Sequence, residues 1–209
     1  MGINHRKNQL KQMRQEDILD AAERVFFSKG YQNATMDDIA RDAEYSKRTI
    51  YVYFESKEQL YQGIICRAFR VLNAMNQTSL KQSDHLNGLN RLQTIGETHL
   101  EFIRNYPNYF RAITNHEFST QEAENESPVF KEGEKAIEIL FSTLETGVKD
   151  GSIRADIDIT ATAFILYSQI IGFGTLLLNK NKYFTEVYHQ TESNLAEELN
   201  TFIANSLKV

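Results

Sequence analysis

The sequence predicts an all-α fold, with an N-terminal three-helix helix-turn-helix domain followed by a larger helical domain. Three observations predict it. Apolar residues recur at the three- and four-residue spacing of amphipathic helices. Ser, Thr or Asp stands where several of these periodic stretches begin. Only one short segment favours a strand, and the chain offers no second strand of similar strength to pair with it.

The first two predicted helices are short and lie close together in the sequence. Apolar residues between Ile18 and Phe26 fall on one helical face, and Gly30 ends this helix because glycine readily takes the left-handed conformation found at helix ends. Thr35 and Asp38 then form the Thr-x-x-Asp pattern of a helix start. We therefore predict a second helix whose apolar positions again repeat at the helical period.

The segment 49–54, Thr-Ile-Tyr-Val-Tyr-Phe, is the one that favours a strand, because it is rich in β-branched and aromatic residues. Ser46 and Ser56 bracket it as helix caps, so we predict a third helix instead. Ile50 and Phe54 then face the core, and the remaining side chains face outward. Two short helices joined by a tight turn make a helix-turn-helix unit.

The outward side chains of this third helix suit a DNA groove. Lysine and arginine match the acceptor-rich edge of guanine, threonine can contact bases, and tyrosine hydroxyls can bond phosphate oxygens. A fourth helix begins after Ser56, and Lys57 near its positive end is expected to bind a phosphate. We expect this helix to run towards Met75 and to be broken by the polar stretch 77–84.

The stretch from Arg14 to Tyr61 resembles the N-terminal domain of the TetR family of bacterial transcriptional regulators. The resemblance rests on Ile-Leu-Asp-Ala-Ala at 18–22, Gly30, Thr35, Ile-Ala at 39–40, Ser-Lys-Arg-Thr-Ile-Tyr-Val-Tyr-Phe at 46–54 and Ser-Lys-Glu at 56–58. It implies a dimeric DNA-binding regulator, with a helix-turn-helix domain at 1–57 and an effector-binding and dimerisation domain at 58–209.

The resemblance also implies which residues contact double-stranded DNA. Phosphate contacts fall on Thr35, Tyr51, Tyr53 and Lys57, and base contacts fall on Tyr45, Lys47, Arg48 and Thr49. Glu44 stands where the family often has a glycine, so we expect the turn to accept a side chain without strain. Arg48 stands where a small residue is frequent, and we expect it to change which operator sequence the protein recognises.

The charge is divided unevenly along the 209 residues, whose formal net charge is -5. Met1 to Lys57 carries 10 Lys and Arg against 9 Asp and Glu, whereas the remainder carries 13 against 19. Arg6, Lys7, Lys11 and Arg14 all precede the first acidic residue. This basic arm either follows the phosphate backbone or enters a minor groove, or it is a solvated, mobile tail.

Beyond the fourth helix the sequence predicts further helices, separated by residues that usually begin or end a helix. They are expected at about 86–106, around Phe110, at 128–150, from Asp158 or Thr160 to Leu178, and from Leu195 to Ser206. Pro107 ends the first of them, Ser127-Pro128 begins the third, and the acidic segment 121–127 is expected to be a loop.

The last two helices are predicted to form a homodimer interface as a four-helix bundle with a partner. The helix that ends at Leu178 is apolar nearly all round and must be covered on every side. Gly172 and Gly174 would let backbones approach closely. The alternative is that both helices are covered within the monomer.

Aromatic residues of the C-terminal domain are candidates to line a cavity for a small-molecule effector. They are Phe102, Tyr106, Tyr109, Phe110, Phe118, Phe130, Phe141 and Tyr167. The alternative is that they form an ordinary core. His99 and His116 lie near glutamates but show no metal-ligand motif, so we predict neither a metal nor a cofactor.

The predicted function is a ligand-responsive transcriptional regulator, a repressor that binds palindromic operator DNA as a homodimer and is released by its effector. The chain shows no phosphate-binding glycine loop and no nucleophile elbow, which disfavours an enzyme. The most apolar stretch, 164–178, is shorter than the ~20 residues that span a bilayer, so we expect a cytoplasmic protein and no membrane. The alternative is a helical ligand carrier or small enzyme with a vestigial head.

Overall fold

The computed structural model describes residues 2–117 and 119–209, with side chains from His5 onward. Within these ranges the chain forms ten helices and no strand, which confirms the all-α prediction. The helices are α1 (Gly2–Lys29), α2 (Met36–Asp42), α3 (Lys47–Tyr53), α4 (Lys57–Gln82), α5 (Gly88–Asn105), α6 (Pro107–Thr114), α7 (Thr120–Glu124), α8 (Pro128–Asp150), α9 (Ile159–Tyr188) and α10 (Glu192–Leu207).

The chain divides into two compact units, Met1–Arg67 and Ala68–Val209. We call the first the head and the second the body. The boundary lies inside α4, whereas the sequence placed it at the start of that helix. The first turns of α4 belong to the head because Leu60, Ile64 and Ile65 are fully buried there.

Side-chain caps set the starts of α2 and α3, as the sequence predicted. The backbone N–H of Asp38 donates to the Thr35 hydroxyl at 3.1 Å, and the Asp38 carboxylate accepts from the Thr35 N–H at 3.2 Å. Ser46 caps α3 by accepting from the Thr49 N–H at 3.1 Å. Each of these bonds satisfies a backbone donor that has no partner within its helix.

The strand-favouring segment 49–54 is helical through Tyr53, and the prediction of a third helix is confirmed. Ile50 is fully buried and Phe54 is 7% exposed. Tertiary packing of these two side chains and the Ser46 cap outweigh the strand propensity of the segment.

An arginine joins α4 to α1 within the head. The Arg67 guanidinium pairs with Glu16 at 2.6 Å, Asp20 at 2.7 Å and Glu23 at 3.0 Å. All three carboxylates lie on one face of α1, at helical spacing. The side chain of Arg67 is only 20% exposed, so the network ties the first turns of α4 to α1.

In the body, α5 and α8 approach closely where two glycines meet. A Cβ atom on Gly88 would lie 2.2 Å from the Cα of Gly147. The Gly88 N–H also donates to the Asp150 carboxylate at 2.7 Å. Ile95, Leu144 and Ile153 form the adjoining core.

Three of the differences from the sequence prediction concern α4, α7 and α9. α4 continues to Gln82, through most of the polar stretch 77–84 that the sequence predicted would break it. The hydroxyls of Thr78 and Ser79 donate to carbonyls of the preceding turn, so these side chains are satisfied within the helix. Most of α7 lies in the segment 121–127 that was expected to be a loop. A reciprocal cap between Ser119 and Glu122 begins this helix. α9 continues past Leu178 to Tyr188.

Candidate functional sites: the surface of α3 and the cavity of the body

The first turn of α3 presents two cations. Lys47 and Arg48 are both exposed, and Ile50 buries the opposite face of the helix. The Lys47 ammonium lies 2.8 Å from the Asp37 carboxylate, and this hydrogen bond raises the pKa of Lys47. Within the described ranges Arg48 forms no hydrogen bond or ion pair. α3 therefore begins with a guanidinium that an external acceptor can bind.

Two of the three tyrosines predicted to contact DNA are tied to α1. The Tyr45 hydroxyl donates to Asp17 at 3.2 Å, and the Tyr53 hydroxyl accepts from Arg14 at 3.5 Å. Tyr51 is 46% exposed. These bonds orient the rings at both ends of α3 before any ligand is present.

Thr35 and Lys57, both expected at phosphates, have roles within the head. Thr35 is exposed, and its hydroxyl caps α2. The Lys57 ammonium donates to the carbonyls of Tyr31 at 2.9 Å and Ala34 at 3.1 Å, and it lies 4.4 Å from the centre of the Tyr31 ring. Lys57 thus braces the turn between α1 and α2. Its phosphate contact stays a prediction, and the two carbonyls already take two of the three N–H donors of the ammonium.

Glu44, in the turn between α2 and α3, corrects one expectation. Its φ is 57°, in the left-handed region, so the turn does demand a conformation that glycine adopts more readily. The expectation of an unstrained side chain is therefore wrong. The reason is steric, because in this region Cβ lies too close to the following carbonyl oxygen.

Glu44→Gly is expected to stabilise the head by about 0.5–1 kcal/mol, because relief of the left-handed strain exceeds the added entropy of the unfolded chain. Urea unfolding measures the gain. Glu44→Ala is the matched control, since it removes the same charge but keeps a Cβ atom. Equal stability of the two variants would contradict the strain.

The body contains a cavity of about 450 Å³ with mostly apolar walls. Of the predicted effector-binding aromatics, Phe102, Phe110, Phe130, Phe141 and Tyr167 line it. Tyr106 and Tyr109 do not line it; their rings stack on each other with centres 5.7 Å apart. Phe118 lies outside the described residues. The volume is within the range of about 300–1,000 Å³ that is usual for small-molecule sites.

The sequence did not identify His99 as a residue of this cavity. His99 is 8% exposed and lines the cavity one turn before Phe102. Its Nδ1–H donates to the Ile95 carbonyl at 2.9 Å, since a carbonyl can only accept. Burial lowers the pKa of His99, so the ring is neutral at pH 7 and its Nε2 is an acceptor.

α9 exposes an apolar face. Phe164 and Ile165 are each 56% exposed, and Leu176 is 46% exposed. By length and composition α9 is also the one helix of the described ranges that could cross a membrane, with 22% of its most apolar window buried. Apolar area of this kind makes this face of α9 a candidate interaction surface.

The two glycines of α9 differ in their surroundings. A Cβ on Gly174 would lie 2.5 Å from the Phe110 ring and 2.7 Å from Ile103, so its close contacts are made within the chain. A Cβ on Gly172 would meet nothing within 4 Å. Only Gly172 remains available for the close approach to a partner that the sequence suggested for both.

Comparisons with known proteins agree with this architecture. Residues 18–64 match the family described as "Bacterial regulatory proteins, tetR family". The chain is 31% identical over 122 residues to the HTH-type transcriptional activator FasR of Mycolicibacterium smegmatis, a match that covers 57% of this chain and 54% of FasR. The chain thus spans about half the length of that relative.

Two further similarities bear on the two units. The biofilm operon icaADBC HTH-type negative transcriptional regulator IcaR of Staphylococcus aureus is 31% identical over 70 residues, which cover 34% of this chain and 38% of IcaR. The crystal structure of the transcriptional regulator FadR from Bacillus subtilis in complex with stearoyl-CoA superposes with a TM-score of 0.72 at 18% identity, covering 90% of this chain and 97% of that chain. At this identity the second likeness shows the fold alone.

Proposed function

Because the chain belongs to the TetR family of bacterial transcriptional regulators, we propose that it is a cytoplasmic, ligand-responsive repressor. It binds palindromic operator DNA as a homodimer and is released by a small-molecule effector. The relatives include a protein named as an activator and one named as a negative regulator. Repression is the direction proposed here, in keeping with the prediction from the sequence.

The observation that carries the DNA-binding proposal is the start of α3. Lys47 and Arg48 are exposed there, on a helix whose position is fixed by buried Ile50 and by tyrosines hydrogen-bonded to α1. An arginine at this point can bond the O6 and N7 acceptors of guanine in the major groove. Lys47, Thr49 and Tyr45 complete the proposed base contacts. Thr35, Tyr51, Tyr53 and Lys57 are the proposed phosphate contacts.

The exposed face of α9 supports the homodimer. Its apolar side chains, together with Phe202 of α10, which is 64% exposed, give a surface that a second copy would cover. A symmetric dimer presents two heads, and two heads read half-sites about 34 Å apart or a multiple of that distance.

The cavity of the body supports an effector with a long apolar chain. Aromatic and aliphatic side chains line it, and a neutral His99 adds one acceptor. The complex of the structural neighbour FadR with stearoyl-CoA supports the same class, a long-chain acyl compound. Phe69 and Leu72 of α4 line the cavity, and α4 begins in the head. The effector shifts α4 by binding more tightly to the conformation of the protein that has low affinity for DNA than to the one that binds DNA.

Arg48→Ala is expected to weaken binding to a selected inverted-repeat duplex about 10- to 100-fold and to relax the base preference at one position of each half-site. Selection of bound duplexes from a random pool supplies the probe. Fluorescence anisotropy at several salt concentrations then measures affinity, which should fall steeply as salt rises.

Arg111→Ala, which removes an exposed arginine from α6 in the body, is the control and should bind as the wild type does. If the wild-type protein enriched no duplex and its weak binding did not depend on salt, the regulator proposal would be wrong. A helical ligand carrier with a vestigial head would then be the better description.

A further inference from the structure

The N-terminal half of α1 carries a basic stripe. Lys7, Lys11 and Arg14 are four and three residues apart, so they lie on one face of the helix. All three are exposed. The sequence left open whether these residues form a mobile tail or a DNA-binding arm. The structure makes them part of a helix that continues without interruption into the core of the head.

This basic stripe lies beside α3. Lys7, Lys11 and Arg14 line one groove together with Val52 and Tyr53 from the end of α3. Arg14 also bonds the Tyr53 hydroxyl at 3.5 Å. Tyr53 is one of the proposed phosphate contacts, so the stripe starts where the proposed contact surface of α3 ends.

The acidic residues of α1 do not neutralise the stripe. Glu16, Asp20 and Glu23 pair with Arg67, and Asp17 accepts from Tyr45. Within the described part of the chain, neither Lys7 nor Lys11 forms an ion pair. The head therefore keeps unpaired ammonium groups next to its recognition helix, whereas the carboxylates nearby are occupied.

We propose that the helical stripe of Lys7, Lys11 and Arg14 binds the sugar-phosphate backbone of duplex DNA outside the base pairs that α3 reads. This inference rests on the proposed function, because it extends the same contact surface. Seven residues of helix rise about 10 Å, which matches about three base pairs at 3.4 Å each. Each half-site should accordingly include about three outer base pairs whose phosphates contribute to affinity but whose base sequence does not affect it.

The double variant Lys7→Gln/Lys11→Gln tests this proposal. Arg14 is left in place because it also holds Tyr53. The probe is the selected inverted-repeat duplex, made either with natural flanks or with three base pairs removed from each end. Wild-type affinity is expected to fall about tenfold on shortening, and the affinity of the double variant is expected to be the same for both duplexes. The slope of log affinity against log salt should decrease by about 0.9 for each lost phosphate contact.

Lys81→Gln/Lys149→Gln, which removes two exposed charges from the body, is the matched control and should keep the wild-type slope and flank dependence. Circular dichroism verifies that both variants are folded. If the wild type binds the operator but the Lys7/Lys11 variant shows the same flank dependence and slope, this inference is overturned and the regulator proposal stands. If the wild type binds no duplex, both are overturned.

Discussion

Gly88→Ala is expected to lower the free energy of unfolding of the body by about 3 kcal/mol, at the upper end of what overpacking costs. The new methyl group would lie 2.2 Å from both the Cα and the N of Gly147. These are backbone atoms of α8 and cannot rotate away, so the two helices must separate. Thermal unfolding followed by circular dichroism should show a decrease of about 10 °C in the transition of the body.

Gly96→Ala on the same helix is the control. Its Cβ would meet only the Asn200 side-chain oxygen at 3.3 Å, which can move, and alanine favours the helix by about 1 kcal/mol over glycine. Gly147→Ala should be intermediate, because its Cβ would meet the flexible end of Ile153 at 2.4 Å. Equal melting temperatures for the Gly88 and Gly96 variants would show that α5 and α8 do not cross so closely.

Ala136→Trp is expected to weaken effector binding without unfolding the body. Ala136 lines the cavity of about 450 Å³, and an indole there would occupy much of the space that an acyl chain needs. Stearoyl-CoA is the probe, and coenzyme A without the acyl chain is the comparison. We expect the wild type to bind stearoyl-CoA, and the variant to bind it at least about tenfold more weakly, a loss of about 1.4 kcal/mol.

The chain has no tryptophan, so the substitution also reports on its own surroundings. The indole introduced by Ala136→Trp should emit as in an apolar site, whereas the one introduced by Ala74→Trp, at an exposed position of α4, should emit as in water. The Ala74 variant should bind stearoyl-CoA as the wild type does. Wild-type protein that does not bind stearoyl-CoA would contradict an acyl effector, and undiminished binding by Ala136→Trp would place the ligand elsewhere.

The helices of the head could be predicted well because the sequence features that determine them are local. Caps such as Thr35 and Ser46, and apolar residues at helical spacing, determine α2 and α3 within a few residues of chain. Even the strand-favouring segment 49–54 was predicted correctly, since the caps that bracket it could be read directly. The strain at Glu44 was missed because only the φ angle of the turn reveals it.

Contacts between distant residues could not be predicted in the same way. The sequence places Lys57 at a helix start, but it does not show that the carbonyls of Tyr31 and Ala34 come within hydrogen-bond distance of its ammonium. Helical spacing predicted that aromatic residues such as Phe102 and Phe110 face the interior of the domain. It could not tell the wall of a cavity from a filled core, nor add His99 to that wall, because both depend on how α5, α8 and α9 pack.

The crossing of Gly88 and Gly147 has a consequence for the proposed binding of an effector in the body. The cavity residues of α5, His99 and Phe102, and those of α8, Phe130 to Phe141, all lie towards the other ends of the two helices. Because no side chain lies between them at the crossing, the backbones of the two helices are in direct contact there. Under the proposed function, a wider acyl compound would therefore be accommodated by a larger angle between α5 and α8, with the two backbones still in contact at Gly88 and Gly147.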